Sequence, residues 1–319
     1  MQDMSNKRVS IIIVTCGSGG YLELCLNSII GQTHKNFEIM VIDNSVNRDF
    51  ALEISGHYPS IKLYSSPKNL FYCQALNIGI EISKGDFVLC LNDDVTLDER
   101  FIEEALKGFA INEKIGIVSG KILRSDRVTL DSTGLFLTVW RTAKERGYGI
   151  KDKGQFEREE YIFGVNGAVA FYRREMLEQI KINSEYFDTD FRIFYEDLDI
   201  AWRAHKFCWK GYYTPCAIAY HIRGGTIRQG RGIDKKYARQ YLSDDLHYDL
   251  VKNRYLAIIK NEPFSSFLLH LPFIILYDIF VWGYILFFRP QLIKSIFSRQ
   301  IPIVSTFRKR TLLKRRHLA

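Results

Sequence analysis

Cysteine is scarce in this chain, and its spacing gives no sign of a metal site. The 319 residues include six cysteines, with no CxxC pair and no metal-ligand spacing. Several stand in apolar runs, which favours buried free thiols in a reducing compartment. The six positions are Cys16, Cys25, Cys73, Cys90, Cys208 and Cys216.

Acidic residues are missing from the carboxyl-terminal segment. Between Arg289 and Ala319 there are nine Lys or Arg and no Asp or Glu, and subtracting these nine from the net charge of +8 leaves −1 on the rest. A nucleic-acid-binding protein would carry basic residues on its folded domain as well, so we expect no nucleic-acid partner. A basic tail that follows an apolar segment instead favours an anionic membrane surface as its partner.

Two further signatures are absent. The residues from Met1 to Arg8 are polar and lead straight into a short apolar run, so we expect no signal peptide there. The turn Gly17-Ser-Gly-Gly20 follows that run but lacks the G-x-G-x-x-G spacing of dinucleotide-binding folds. This disfavours a dinucleotide-dependent oxidoreductase.

What the chain does contain is a regular alternation of apolar strands and amphipathic helices. Hydrophobic residues make up 47% of it and aromatic residues 14%, enough for a real core. The alternation predicts right-handed crossovers and a parallel sheet in one large α/β domain with an appendage. Strands are predicted at 9–14, 37–42, 61–64, 87–91, 115–118 and 216–220, helices at 22–30, 70–82, 98–109 and from 196, and an inserted loop or β-ribbon at 124–160.

Three polar side chains follow the buried strand at 87–91. Asn92, Asp93 and Asp94 stand at its carboxyl end, where open α/β sheets bind their ligands. Carboxylate oxygens are the ligands that Mg²⁺ or Mn²⁺ prefers, usually together with substrate phosphates. A plain strand-to-turn exit would also place Asn and Asp here, so the fragment alone leaves both interpretations open.

A second acidic cluster opens a helix about a hundred residues later. Apolar residues at i, i+3 and i+4 from Leu198 face the core, which puts Glu196 and Asp197 in the first helical turn. The helix dipole stabilises negative charge there, so a purely structural role would explain the acids as well. The strand at 216–220 then delivers His221 and Arg223, although a single His after a strand is more often structural than a ligand.

Taken in order, these fragments resemble the family 2 glycosyltransferases with a GT-A fold, and among them the rhamnosyltransferase-like branch that acts on lipid-linked acceptors. The resemblance covers roughly residues 8–226, and it is the order and spacing of the fragments that make it specific. It implies a Rossmann-like mixed sheet flanked by helices. The matching fragments are 9–15, Val41-Ile-Asp43-Asn44-Ser45, Asn69-Leu70, Asn77-Ile-Gly79, Leu91-Asn92-Asp93-Asp94, 164–168 with 173–175, Tyr195-Glu-Asp-Leu-Asp199, and His221.

The resemblance implies a role for each matching position. Asp94, at the outer position of the family's D-x-D motif, would bind Mg²⁺ or Mn²⁺ together with His221, and Asp197 would be the catalytic base. The nucleotide-sugar donor would be held by Thr15, Asp43, Asn69, Asn77, Asn92 and Asp93. The acceptor side would be formed by Asn166, Gly167, Glu196, Trp202 and Arg223.

The chemistry of glycosyl transfer independently requires a divalent cation and a catalytic base. A departing diphosphate needs a divalent cation to stabilise its charge, and inversion needs one carboxylate to take the acceptor proton. An Asp at a helix start stays ionised but is a weak base, so proton transfer would come late in the transition state. Cys16-Gly17 and the residues 71–75 depart from the family pattern near the donor pocket, which leaves the donor open.

The apolar segment 264–288 predicts a membrane-associated appendage. Its length would allow a span, but Asp278 and Pro272 are costly in a lipid-facing helix, and its aromatic residues favour an interfacial helix or hairpin. We therefore divide the chain into a catalytic domain, 1–262, and a membrane-association region, 263–319. The enzyme would work at the cytoplasmic face of the inner or plasma membrane. A soluble helix that pairs two copies in a homodimer is the alternative.

The sequence therefore predicts an inverting, metal-dependent transferase. It would move L-rhamnose from dTDP-L-rhamnose to a polyprenyl-diphosphate-linked saccharide in O-antigen or cell-wall polysaccharide assembly, and the choice of donor depends on the resemblance alone. A transferase that uses a UDP-sugar, such as UDP-galactofuranose or a UDP-N-acetylhexosamine, is the rival within the enzyme class. A membrane-bound nucleotide-sugar-binding protein without turnover is the rival outside it.

Overall fold

The computed structural model describes residues 4–17, 20–224 and 242–318. Two residues of the predicted Gly/Ser turn and the segment after Gly224 lie outside the described residues. The strands are β1 Val9–Thr15, β2 Phe37–Asp43, β3 Lys62–Ser65, β4 Phe87–Asn92, β5 Val95–Leu97, β6 Ile115–Arg124, β7 Leu130–Ser132, β8 Leu135–Leu137, β9 Ala143–Glu145, β10 Glu160–Ile162, β11 Val169–Arg173 and β12 Lys210–His221. The helices are α1 Gly20–Ile30, α2 Arg48–His57, α3 Phe71–Ile82, α4 Phe101–Ala110, α5 Arg174–Ile180, α6 Glu196–Lys206, α7 Asp244–Asn261, α8 Phe264–Phe288, α9 Gln291–Ser298 and α10 Ile303–Leu318, with a 3₁₀ turn at Thr189–Phe191.

Ten of the strands form one mixed sheet. Its order is β10-β12-β6-β11-β4-β1-β2-β3, with β5 beside β12 and β7 beside β6, while β8 and β9 form a separate pair. The strands β4, β1, β2 and β3 are parallel, as the strand-helix alternation predicts. β11 runs antiparallel between β4 and β6, so the mixed sheet implied by the resemblance is confirmed and a wholly parallel sheet is wrong.

The central strands are buried on both faces because helices cover both sides of the sheet. Ile11 and Ile13 of β1 face a core built with α1, α2 and α4, whereas Ile12 and Val14 face a second core built with α3, α5 and α6. All four side chains are almost completely inaccessible to solvent. Because helices cover both faces of the sheet, the sequences of β1 and β4 are nearly continuous apolar runs.

Several elements differ from the sequence prediction. The helices α2 and α7 and the short strand β5 are additional, and β12 begins at Lys210 rather than near Cys216. The inserted region 124–160 contains three short strands, β7 to β9, of which β7 pairs with the main sheet. The carboxyl end of the sheet is therefore covered by structured ribbon.

The carboxyl-terminal helices return to the core of the α/β domain. Leu313 of α10 is buried in the same cluster as the side chains of α3, α5 and α6. Lys309 pairs with Asp188 at 2.5 Å, and the fully buried Lys260 of α7 pairs with both Asp188 and Asp199. The region 263–319 is thus attached to the domain 1–262 through buried contacts, and the division between them stays a prediction.

Among the described helices, α8 is the one that is long and apolar enough to cross a membrane, by length and composition. Most of its surface is exposed.

Candidate active site

Parallel strands β1 and β4 deliver the first pair of site residues to one edge of the sheet. Val14 lies opposite Asn92 in the strand register, so Thr15 and Asp93 leave the two strands side by side. Thr15 Oγ1 donates a 2.7 Å hydrogen bond to Asp93 Oδ2, and both side chains are almost fully buried. The structure thus brings these two predicted donor-binding residues into direct contact.

The next strands extend this polar edge. Asp43 lies opposite Thr15 in the β1–β2 register, and its Oδ2 accepts a 2.6 Å hydrogen bond from Ser65 Oγ at the end of β3. Asn69, exposed in the turn before α3, accepts a 2.7 Å hydrogen bond from the backbone of Phe71. The ends of β1, β2 and β3 therefore carry the polar groups predicted to hold the nucleoside.

The short strand β5 places a histidine beside the last aspartate of the motif. His221 pairs with Val95 in an antiparallel register, and Asp94 O accepts a 3.0 Å hydrogen bond from the backbone N–H of residue 222. The two side chains consequently meet, with His221 Nε2 3.3 Å from Asp94 Oδ1. The other ring nitrogen, Nδ1, lies 2.9 Å from Asp131 Oδ2.

The charges of this group determine its protonation. Burial alone would lower the pKa of His221, but the charges of Asp94 and Asp131 outweigh it and raise that pKa to about 10. Burial would raise the pKa of Asp131, but the positive charge of Arg223 and the hydrogen bond from His221 lower it to about 2. In the absence of a cation, the imidazole is therefore protonated between two carboxylates.

The residues present fit a divalent cation of the Mg²⁺ or Mn²⁺ type. Asp94 Oδ1 is buried and has no aligned hydrogen-bond donor among the described residues. Its separation from His221 Nε2 is 3.3 Å. Adjacent ligands of an octahedral ion with bonds of about 2.1 Å lie about 3 Å apart, so one cation could contact both atoms. Two protein ligands would leave the remaining positions for phosphate oxygens and water.

Asp197 stands at the amino-terminal end of α6, where two backbone N–H groups contact its carboxylate. Its Oδ1 accepts a 2.7 Å hydrogen bond from Leu198 N, and its Oδ2 accepts one of 3.2 Å from Gly167 N. A Cβ atom at position 167 would lie 3.1 Å from Glu196 Oε1 and 3.6 Å from Asp197 Oδ2, so a larger residue here would press on the Glu196 carboxyl group.

The two neighbouring acids at this helix start differ in their environment. Burial, followed by the negative charge of Asp197, raises the pKa of Glu196 to about 8, and Glu196 Oε2 has no hydrogen-bond partner among the described residues. Burial also raises the pKa of Asp197, but its backbone N–H contacts oppose that rise. At neutral pH, Glu196 therefore holds a proton, whereas the backbone N–H groups favour the charged form of the partly buried Asp197.

The β4 motif and the α6 helix start meet through the loop before β11. Asn92 N donates a 3.0 Å hydrogen bond to the carbonyl of Ala168, the residue that follows the Gly167 contact of Asp197. From the other side, Arg223 donates a 2.9 Å hydrogen bond to Asp131, and its positive charge also acts on Asp197. Both acidic clusters consequently lie at the same edge of the sheet.

The inserted ribbon supplies two site residues that sequence reasoning missed. Asp131 of β7 contacts His221 and Arg223, and Glu145 of β9 accepts a 2.8 Å hydrogen bond from Asn166 Nδ2. Burial raises the pKa of Glu145 to about 8 although Arg223 opposes the rise. The short polar segments of this region have no periodicity, so only the fold shows that they point inward.

Two predicted site residues make packing contacts in this structure. Asn77 Oδ1 accepts hydrogen bonds from the backbone N–H groups of Tyr186 and Phe187, so its amide holds the loop at these residues. Trp202 is buried in an apolar cluster with Leu198, because it belongs to the core-facing stripe of α6. Their roles at the donor and acceptor stay predictions.

A Rossmann-like mixed sheet flanked by helices, with two carboxylate clusters at its carboxyl edge, is the arrangement of the GT-A fold. The family model described as "Glycosyl transferase family 2" matches residues 10–181, which is more than half of the chain, and the protein belongs to that family. The fold also aligns with the crystal structure of GalNAc-T7 with UDP, GalNAc and Mn²⁺ (TM-score 0.60, 14% identity, 81% of this chain and 48% of that one).

Two curated relatives are similar to this chain. The amylovoran biosynthesis glycosyltransferase AmsB of Erwinia amylovora is 25% identical over 254 residues, which is 76% of this chain and 78% of AmsB. The poly-beta-1,6-N-acetyl-D-glucosamine synthase of Staphylococcus epidermidis is 23% identical over 226 residues, or 69% of this chain and 51% of the synthase. The chain thus spans about half the length of the staphylococcal relative.

Proposed function

We propose that this chain is an inverting, divalent-metal-dependent glycosyltransferase that elongates a lipid-linked saccharide during cell-surface polysaccharide assembly. One observation carries the proposal. Asp94 and Asp197 come from segments about a hundred residues apart. Both lie at the same sheet edge, where Asn92 contacts the 167–168 loop and Asp94 meets His221. Family membership and the relatives AmsB and the staphylococcal synthase support the reaction class.

The donor side of the cleft would bind a nucleoside diphosphate sugar. Thr15, Asp43 and Asn69 present polar groups for the nucleoside, and Asp93 is held by Thr15 at the position expected for the ribose or sugar. Asp94 and His221 would hold the Mg²⁺ or Mn²⁺ ion that, when bound, neutralises the charge developing on the diphosphate.

The acceptor side depends on the proton balance at the start of α6. Asp197 accepts two backbone hydrogen bonds and carries the charge, so its carboxylate can take the proton of an acceptor hydroxyl. Glu196 keeps its proton at neutral pH, which leaves one negative charge on this pair. Arg223 would lie beside the acceptor and balance the charges of Asp131 and Asp197.

The donor is proposed to be dTDP-L-rhamnose, with a UDP-sugar as the second candidate. The rhamnose proposal depends on the sequence resemblance, whereas the aligned structure contains UDP. A thermal-shift titration with dTDP against UDP, each with Mg²⁺ or Mn²⁺, separates the two. Stabilisation by dTDP alone supports rhamnose, and stabilisation by UDP alone would replace it. Assays of the matching sugar nucleotides with a synthetic polyprenyl-diphosphate-GlcNAc acceptor then identify the sugar.

Replacing the proposed base separates an enzyme from a nucleotide-sugar-binding protein without turnover. Asp197→Asn should lower kcat about 10²–10⁴-fold while nucleotide binding stays unchanged, because general-base catalysis contributes on that order. The exposed Asp49→Asn on α2 is the matched control and should leave both unchanged. Transfer at the native rate by Asp197→Asn would remove Asp197 as the base, and no transfer by the native chain with any sugar nucleotide would favour the binding protein.

We also propose that the chain works at the cytoplasmic face of the inner or plasma membrane. A sugar nucleotide is water-soluble and a polyprenyl-linked acceptor is not, so the two can meet only at a lipid surface. The exposed apolar surface of α8 and the basic segment after Arg289 support this location.

A further inference from the structure

The long apolar helix α8 is fixed to the catalytic domain along one stripe. Near its amino-terminal end, Ser266 and His270 each contact Arg141 Nη2, at 2.8 Å and 2.9 Å. In the middle, Asp278 pairs with the buried Arg254 of α7. These three contacts recur every one or two turns and lie on one face of the helix.

The stripe continues to the carboxyl-terminal end of α8. Trp282 Nε1 donates a 3.0 Å hydrogen bond to Tyr255 of α7, and Ile285 is buried in a cluster with Tyr248. Just past the helix end, Arg289 pairs with Asp244 at 2.7 Å. A helix of 25 residues is about 37 Å long, so the domain holds α8 at both ends and in the middle.

The opposite face of α8 is apolar and exposed. It carries large side chains from end to end, with no charged residue among them. Its most exposed members are Leu269 (71%), Ile279 (62%), Phe280 (68%) and Phe287 (78%), and the terminal residues Phe264 (71%) and Phe288 (73%) are exposed at the helix ends. A solvent-exposed apolar face of this length marks an interaction site.

We propose that α8 lies flat in the interface of an anionic lipid bilayer, as an in-plane anchor that does not cross the membrane. This inference rests on the membrane location proposed above. If α8 stood across the bilayer, its inner stripe would carry α7 into the hydrocarbon layer together with the charged groups of Asp244 and Arg254, which is costly. A flat α8 instead buries its outer face in lipid while α7 stays on the aqueous side.

The basic residues of the segment after α8 match an anionic surface, although fewer are available than the sequence suggests. Lys309 and Arg299 pair with acidic groups of the domain. Four others are exposed and form no ion pair within the described residues: Lys294, Arg308, Lys314 and Arg315. Lys294 lies one turn before the exposed Phe297 on α9, and Arg308 follows the exposed Phe307 on α10. This combination of apolar and basic side chains favours anionic lipid over a second copy of the chain, which is itself basic at pI 9.0.

Labelling the two ends of α8 tests the flat orientation. Ser265, in the first turn of α8, and Gln291, just after its carboxyl-terminal end, are both exposed. Each is replaced by Cys in a full-length chain whose exposed native cysteines at 16, 208 and 216 are Ser. The chain is reconstituted in sealed phosphatidylglycerol-containing vesicles and treated with a membrane-impermeant maleimide. We expect both positions to react from the same side, and reaction at only one end before the vesicles are opened would overturn the proposal.

Flotation tests the lipid partner. The native chain should float with vesicles that contain phosphatidylglycerol and bind at least tenfold less to pure phosphatidylcholine. Leu276→Glu with Ile279→Glu on the outer face should abolish flotation, while Leu52→Glu, at an apolar position on α2 that is more exposed than either, should float normally. Loss of a dimer in the double variant, together with no flotation of the native chain, would overturn the proposal in favour of a second copy.

Nucleotide binding separates this inference from the proposed function. The outer-face variant should keep the native thermal shift with nucleotide and Mn²⁺, because Leu276 and Ile279 lie outside the cleft. Full flotation of a chain that binds no nucleotide would refute the enzyme proposal and leave the anchor intact. A chain that binds nucleotide and transfers sugar but fails to float would refute the anchor and leave the enzyme proposal intact.

Discussion

Asp131 fixes the orientation of the histidine that would hold the metal. The carboxylate lies 2.9 Å from His221 Nδ1, which leaves Nε2 pointing at Asp94. A carboxylate behind a metal-binding histidine sets its tautomer and raises its basicity. Arg223 also contacts Asp131, so the same carboxylate connects the metal ligands to the acceptor side.

Replacing the Asp131 carboxylate should weaken metal binding even though the two proposed ligands, Asp94 and His221, are left in place. Asp131→Asn should lower the affinity for Mn²⁺ about 10–100-fold, which a titration of Mn²⁺ followed by electron paramagnetic resonance would measure. Asp49→Asn on the exposed face of α2 serves as the control. A variant that loses thermal stability but binds Mn²⁺ at the native affinity would show that Asp131 is only structural.

The raised pKa of Glu196 makes stability depend on pH in a defined direction. Its pKa of about 8 in the folded chain lies above the ordinary glutamate pKa of 4.5, so the unfolded chain loses this proton first as pH rises. The contribution of neutral Glu196 to stability is therefore complete below about pH 4.5 and lost as pH rises through about 8. Glu196→Gln should gain at least about 2 °C in Tm, relative to the native chain, between pH 5 and pH 8.5. An equal pH dependence in both proteins would contradict the assignment of the proton.

At the residue scale, the sequence predicted the contacts that regular elements carry. Thr15 contacts Asp93, and Asp94 contacts His221. Each of these residues stands at or just after the end of a strand whose apolar run can be recognised in the sequence. Asp131 and Glu145 could not be predicted, since their strands contain three residues each and show no periodicity.

At the scale of elements, a strained turn precedes the catalytic helix. Arg192, Phe194 and Tyr195 all have positive φ angles, which are uncommon for such residues. The amide of Asn253 on α7 donates to the carbonyl oxygens of residues 191, 193 and 194 at 2.7–2.8 Å and holds the turn in place. α7 therefore supports the position of α6 and of Asp197.

Removing that amide should loosen the turn. Asn253→Ala leaves three carbonyl groups without their donor, so we expect a loss of about 2–4 kcal/mol in the free energy of unfolding. We also expect kcat to fall while KM for the donor stays near its native value, because the donor side is formed by other strands. Steady-state kinetics and urea unfolding measure both effects, and unchanged kcat would contradict the supporting role of α7.

The element that sequence analysis missed most completely is α7 itself. Its buried face includes Asp249, which pairs with Lys252 of the same helix and with Arg192, and Lys260, which pairs with Asp188. A buried face built from ion pairs gives no apolar stripe at helical spacing, and that stripe is the signal on which sequence prediction of helices depends. Helices such as α4, with a continuous apolar face, were predicted within a few residues.

For the molecule as a whole, α10 makes the carboxyl-terminal region part of the fold. It brings Leu313 into the main core and Lys309 into a cluster with Asp188, Asp190 and Glu185. The negative charges of that cluster outweigh burial and raise the pKa of Lys309 well above its usual range. The basic tail is therefore partly an internal structural element.

A truncation tests this role. A chain that ends after residue 300 retains α8 and α9 but loses α10, and it should unfold at a Tm several degrees lower because buried Asp188 loses one of its two cationic partners. Differential scanning calorimetry of the native and truncated chains in one detergent measures the change in Tm. An unaltered Tm would support an independent domain that ends at residue 262.

The central claim is that both acidic clusters act on one metal-bound nucleotide sugar. Its most direct test is a paired measurement of nucleotide-dependent Mn²⁺ binding and of sugar transfer in Asp94→Asn and Asp197→Asn. We predict that Asp94→Asn loses both, and that Asp197→Asn binds Mn²⁺ and nucleotide normally but transfers sugar about 10²–10⁴-fold more slowly than the native chain. Native Mn²⁺ binding by Asp94→Asn, or native transfer by Asp197→Asn, would contradict the account.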